Sequence, residues 1–159
     1  MNEIGLLDKL LVFTLNNESY GIMITNVKEI IEYRKVVGVP ELPDYIHGVI
    51  NLRNRVIPIM DLRLRFGLPK KDVSDQTSII IVNHGTLDVG LIVDQVDEVI
   101  SVDPETFSAP PALNNDFHPE LIYGLCNLGD SIVILINTHT IITASGLEGL
   151  PTQVRFIDS

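Results

Sequence analysis

Val, Ile and Leu cluster along this chain in short runs that Gly, Asn, Asp and Pro punctuate. Residues 10–15, 20–24, 49–52, 56–60, 78–82, 87–93, 96–102, 122–128 and 132–136 have the length and β-branched content of strands. Asn16-Asn17 between the first two reads as a turn, because Asn tolerates positive φ. The stretch 27–33 fits an extended piece or a short helix, and its pattern does not decide. Leu62, Leu64 and Phe66 alternate with Arg63 and Arg65 as a strand would, yet Asp61 as cap and Gly67-Leu68-Pro69 as stop favour a helical turn. A further helix is expected from Asn137 to Ser145, ended by Gly146. Many short strands with few helices predict an all-β barrel or sandwich.

The pattern also repeats. Residues 20–31, YGIMITNVKEII, overlie residues 89–100, VGLIVDQVDEVI, at an offset of 69, with Gly, Val, Glu and the final Ile identical. At an offset of 76, residues 46–52, IHGVINL, overlie residues 122–128, IYGLCNL, and 56–61 overlie 132–137. The change of offset gives the second copy seven extra residues, most naturally in the Pro-, Asn- and Asp-rich loop from Pro104 to Pro119. A duplicated unit of about five strands predicts two small five-stranded barrels packed together, with a first copy at about 10–68 and a second at about 77–142. Whether strands are exchanged between copies stays open. Both belong to one domain over 10–150, flanked by tails at 1–9 and 151–159.

One stretch breaks the otherwise acidic character of the chain. Val49–Leu52 and Val56–Met60 flank Arg53-Asn54-Arg55, the pattern of two antiparallel strands meeting at a tight turn, with Asn54 suited to positive φ. The protein has 159 residues, enough to bury roughly 68–70% of its unfolded surface in a sizeable core. It carries 11 basic and 21 acidic side chains, a formal charge of −10, which argues against general nucleic-acid or anionic-membrane binding. Arg53, Arg55, Arg63 and Arg65 place four of those 11 basic residues within thirteen positions, so any basic patch must lie there. The N-terminus lacks the basic start and apolar run of a secretory signal, and no apolar run reaches the ~18 residues of a membrane span. A soluble, cytoplasmic protein is expected, and the single Cys126, inside an apolar run, reads as a small core residue.

Catalytic chemistry is sought in the sequence and not found. His47, His84, His118 and His139 are far apart, with no CxxC or HExxH nearby, and read as surface or loop residues without a metal. Residues 124–131, GLCNLGDS, have the glycine spacing of a phosphate-binding loop, but Asp130 stands where lysine must be and would repel phosphate. No GxSxG elbow is present, Ser145-Gly146 being simply a helix end. Asp94, Asp97 and Glu98 read as a solvated acidic face and Asp61 as a helix cap. No enzyme and no cofactor are expected.

Binding remains, and the copies serve as controls for each other. Gly129 and Ser131 in the second copy stand where the first has Arg53 and Arg55, and Ile134 stands where it has Pro58. The fold therefore does not require those arginines. Pro58, lacking an N–H, points to an edge or a bulge. Two guanidinium forks at a hairpin tip beside such an edge suit an acidic or helical partner. In the competing reading the arginines merely solvate the tip and pair with local carboxylates such as Glu29 or Asp61.

The segments LLVFTLNNESYGIMITNVKEII, GVINLRNRVIPIMDLRLRFGL and GLIVDQVDEVI together resemble the CheW family of bacterial chemotaxis coupling proteins, from about Leu10 to Ile142. The resemblance implies two packed SH3-like β-barrels with a few short helices, no catalysis and no cofactor. It also implies two partners, the cytoplasmic tip of methyl-accepting chemoreceptors and the regulatory domain of a chemotaxis histidine kinase, with no direct membrane insertion. The family's contacts fall here on Val27, Glu29, Gly48, Asn51, Arg53 and Val56, to which the hairpin reading adds Arg55. The family usually has glycine after the NLR triplet where this chain has Asn54, which can take the same turn. Alternative readings are the equivalent coupler of a pilus-motility or other chemosensory system and, from another class, a small-molecule-binding barrel.

Overall fold

The computed structural model describes residues 9–108 and 121–144. The two tails except Lys9, together with Ser145, Gly146, His118 and most of the Pro104–Pro119 loop, lie outside them. In chain order the strands are β1 (Lys9–Leu15), β2 (Glu18–Met23), β3 (Val27–Glu32), β4 (Ile46–Leu52) and β5 (Arg55–Asp61). After helix α1 (Leu62–Arg65) come β6 (Ser78–His84), β7 (Leu87–Val93), β8 (Gln95–Ser101), the two-residue β9 (Phe107–Ser108), β10 (Ile122–Asn127), β11 (Ile132–Ile136) and helix α2 (Thr138–Thr143). The ambiguous stretch 27–33 is thus mainly a strand, and the helical reading of the segment after Asp61 holds.

The strands form two sheets, β8-β1-β2-β11-β10-β9 and β3-β6-β7-β5-β4. Applying the sequence offsets turns β1, β2, β3, β4 and β5 into β6, β7, β8, β10 and β11, and so turns one sheet order into the other. Copies and sheets do not coincide. The β1-β2 hairpin of the first copy sits between strands of the second, and the β6-β7 hairpin of the second between strands of the first. The exchange is made by parallel pairings, β5 with β7 at Ile59↔Gly90 and β2 with β11 at Gly21↔Leu135.

Each sheet curls into an SH3-like barrel. Val37, beyond the end of β3, bridges to Val49 on β4, and Ser108 on β9 pairs with Leu125 at the position equivalent to Val49. The matched glycines of the repeat have a physical reason here. A Cβ on Gly48 would stand 1.9 Å from the Val37 carbonyl oxygen, and one on Gly124 would stand 2.2 Å from that of Ser108. Only a hydrogen lets the closing segment approach so near.

Strand alternation divides the core in three. Leu10 and Val12 of β1 join Cys126, Val133 and Leu135 inside one barrel, while Ile79 and Ile81 of β6 join Ile50, Ile57 and Ile59 inside the other. Their neighbours Leu11, Phe13, Ile80 and Val82 face a shared layer with Met60, Leu62, Ile136 and Ile141 between the barrels. Both faces of β1 and β6 are therefore buried, which is why these strands read as unbroken apolar runs rather than alternating ones.

Candidate functional site

At the tip of the β4-β5 hairpin Arg53 and Asn54 both have positive φ, 52° and 65°, the conformation of a two-residue type I′ turn. The turn thus strains Arg53 as well as Asn54, and the Asn51 carboxamide steadies it by accepting from the Asn54 N–H at 3.0 Å. Asn127 does the same for Gly129 at 2.9 Å in the second copy, so the matched Asn is a turn support. β7 joins β5 only from Ile59 to Asp61, leaving one side of Pro58 without a strand partner, as its missing N–H requires.

Both arginines turn back toward carboxylates without being covered. Arg53 pairs with Glu29 on the edge strand β3, its side chain 67% exposed. Arg55, 53% exposed, bonds Asp88 of β7 at 2.8 Å. The competing reading is right about Glu29 and wrong about Asp61, which caps α1 through the N–H groups of Arg63 and Leu64 and bonds His47 at 3.2 Å. Asp88 is the hub of the cluster. Its 3%-exposed carboxylate also takes Lys28 at 2.8 Å, and the Asn83 amide donates to it at 2.8 Å. Burial works against its ionisation, but the bonds from Asn83 and Lys28 and the charges of Arg55 and Lys28 outweigh that and hold its pKa below the usual value. Lys28 reaches it because β3 bulges between Val27 and Glu29.

Three cations and two carboxylates therefore meet at one end of this barrel. At the corresponding end of the other barrel, Lys28 is replaced by Asp97, Arg53 by Gly129, Arg55 by Ser131 and Asp88 by Ser19. The sequence reasoning missed Lys28, Asn83 and Asp88. Lys28 against Asp97 and Asp88 against Ser19 show the same contrast between the copies as the hairpin residues do.

Of the expected contact residues, Glu29, Asn51, Arg53, Arg55 and Val56 gather around the tip, with Val56 paired to Asn51. Val27 is half-buried against the layer between barrels, and Gly48 lies at the barrel closure. The basic patch is narrower than the sequence implied. Arg63 is buried, bonding Asp94 at 2.5 Å, Asn16 at 3.2 Å and the Pro69 carbonyl at 2.8 Å. Asp94 is accordingly an internal ion-pair partner, not part of a solvated face. Arg65 lies 5.1 Å over the Tyr45 ring.

Residues 124–131 form a hairpin, not a loop leading into a helix, and burial pushes the Cys126 thiol up in pKa. Among the described residues no group of three His, Cys, Asp or Glu could hold a metal. In a cleft of about 280 Å³ that Lys70, Lys71 and Asp72 also line, His47 pairs with Asp61 and Arg63 with Asp94.

A family model for the CheW-like domain matches residues 9–146. The chain is 43% identical over 110 residues to the chemotaxis protein CheW of Bacillus subtilis, covering 69% of this chain and 70% of that protein. With the chemotaxis protein CheW of Klebsiella aerogenes it shares 37% over 134 residues, 84% and 81% of the two chains. The crystal structure of the scaffolding protein TtCheW from Thermoanaerobacter tengcongensis superposes with a TM-score of 0.79 at 36% identity, over 85% of this chain and 87% of that one. By sequence and by its two-barrel architecture, this chain belongs to the CheW-like family.

Proposed function

We propose that the chain is a non-catalytic coupling scaffold of bacterial chemotaxis, holding the regulatory domain of a histidine kinase against the cytoplasmic tips of chemoreceptors. The observation that carries the reading, beyond family membership, is the contrast between the two barrel ends. One presents guanidinium groups at 67% and 53% exposure on a hairpin tip, where the other presents Gly129 and Ser131. Such forks are already aimed by their pairs with Glu29 and Asp88, so little side-chain entropy is lost when a partner carboxylate or carbonyl adds to them. Val27, Glu29, Gly48, Asn51, Arg53, Arg55 and Val56 form the partner-binding region on this reading, with Gly48 acting through the backbone it lets close.

The scaffold works without chemistry. A rigid pair of barrels fixes the separation of two binding faces, so a shift of the receptor tip changes how the kinase is held. Among the described residues no helix is long and apolar enough to cross a membrane, which agrees with a cytoplasmic protein that reaches the membrane through its receptors. The test is titration of the chain with a receptor cytoplasmic fragment and, separately, with a kinase regulatory domain. Saturable binding to each is expected; binding to neither removes the coupling role.

A further inference from the structure

Histidines that are widely spaced along the chain meet in the fold. His84 ends β6 and His139 lies in the first turn of α2, and their Nδ1 atoms are 3.2 Å apart with the rings edge to face. β6 belongs to one sheet and α2 follows β11 of the other, so the pair bridges the junction of the two barrels. It borders a cleft of about 330 Å³ whose walls include Asn83, Tyr123 and Asn137. His139 is exposed and His84 half-buried, so an ion can reach both.

We propose that His84 and His139 form a two-ligand site for a divalent transition cation of the zinc, cobalt or nickel class, which ties the barrels together. Imidazole nitrogen suits these borderline cations, whereas calcium and magnesium prefer oxygen. Ligand nitrogens at about 2.0–2.1 Å from a tetrahedral ion are about 3.3 Å from each other. The observed 3.2 Å lies close to that spacing. Each ring would carry its proton on Nε2 and offer Nδ1, and water would fill the remaining positions, since no third ligating side chain converges there among the described residues. Such an open site is weaker than a closed four-ligand one. Its effect is on the inter-barrel junction, and it is independent of the coupling role proposed above.

The experiment is a calorimetric titration of the untagged full chain with zinc chloride, paired with 15N spectra of its histidine rings. One zinc ion per chain is expected, with both His84 and His139 Nδ1 resonances shifting together. His84→Gln and His139→Gln should each weaken binding by roughly tenfold or more, while His47→Gln leaves it unchanged. Equal affinity in the wild type and the doubly substituted chain would overturn the proposal, as would zinc uptake that leaves both Nδ1 resonances unmoved. The ring spectra are recorded on the unaltered chain and decide the matter even where a variant folds poorly.

Discussion

Asp88 sets the charge balance of the hairpin end, and its energetics follow from its partners. A carboxyl whose pKa is lower in the folded than in the unfolded chain contributes stability that is complete above the unfolded value and is lost as pH falls through the folded one. Its contribution is therefore present at neutral pH and disappears on acidification below about pH 4. Asp88→Asn should lower the melting temperature at pH 7 and flatten its decline in acid, as scanning calorimetry across pH would record. An acid slope as steep as the wild type's would mean that Asp88 is not a main contributor. Arg53→Glu loses an exposed pair worth about 0.2–1 kcal/mol and sets a second carboxylate beside Glu29, so the fold should survive with a small loss of stability. Partner binding should weaken by about 2 kcal/mol or more if the tip is a hot spot. Gly129→Arg, which meets open space but strains a φ of 96°, should cost some stability and leave binding intact. A variant at Arg53 that unfolds, or an equal binding loss at Gly129, would contradict the unequal roles of the two tips. Arg53 and Arg55 were legible in the sequence because charge stood out against a neutral copy. Asp88 stands out by the same comparison, against Ser19, but a lone acid in the apolar run of β7 gives no sign of being buried beneath three donors.

At the scale of elements, the closure of each barrel depends on a hydrogen in place of a side chain. In Gly48→Ala the new methyl group would collide with a backbone carbonyl that cannot rotate away, at a φ of 142° that alanine also disfavours. A cost of about 3 kcal/mol or more is expected from such overpacking, read as a lower urea midpoint. Gly67→Ala, with nothing within 4 Å, should cost only the strain of its φ of 75°. If the two variants melt alike, the close approach of Val37 is not what Gly48 serves. Most strand positions and both helices could be read from apolar spacing and capping residues, but not the two-residue β9, which falls inside the expected Pro104–Pro119 loop. The 27–33 stretch could not, since its apolar positions suit both periods and the decision came from pairing with β6. The Lys28 bulge was likewise invisible, because a bulge is a property of two strands in register.

Across the whole molecule, the exchange of hairpins makes the barrels interdependent. Neither copy contains a complete sheet, and the layer between barrels draws on both. Unfolding should then be a single transition. Labelling of the buried Cys126 thiol reports one barrel and amide exchange at Ile79–Ile81 the other, and the two should give coincident denaturant midpoints. Separated midpoints would show that each barrel stands alone. The exchange itself was beyond the sequence, which shows which residues are apolar but not which strand each one faces. The most direct test of the scaffold is sedimentation of a kinase regulatory domain with assembled receptor cytoplasmic fragments, with and without this chain. The kinase domain should pellet only when the wild-type chain is present and should stay in solution with Arg53→Glu. Kinase and receptor competing for the chain, so that neither pellets with the other, would contradict a protein with two faces engaged at once.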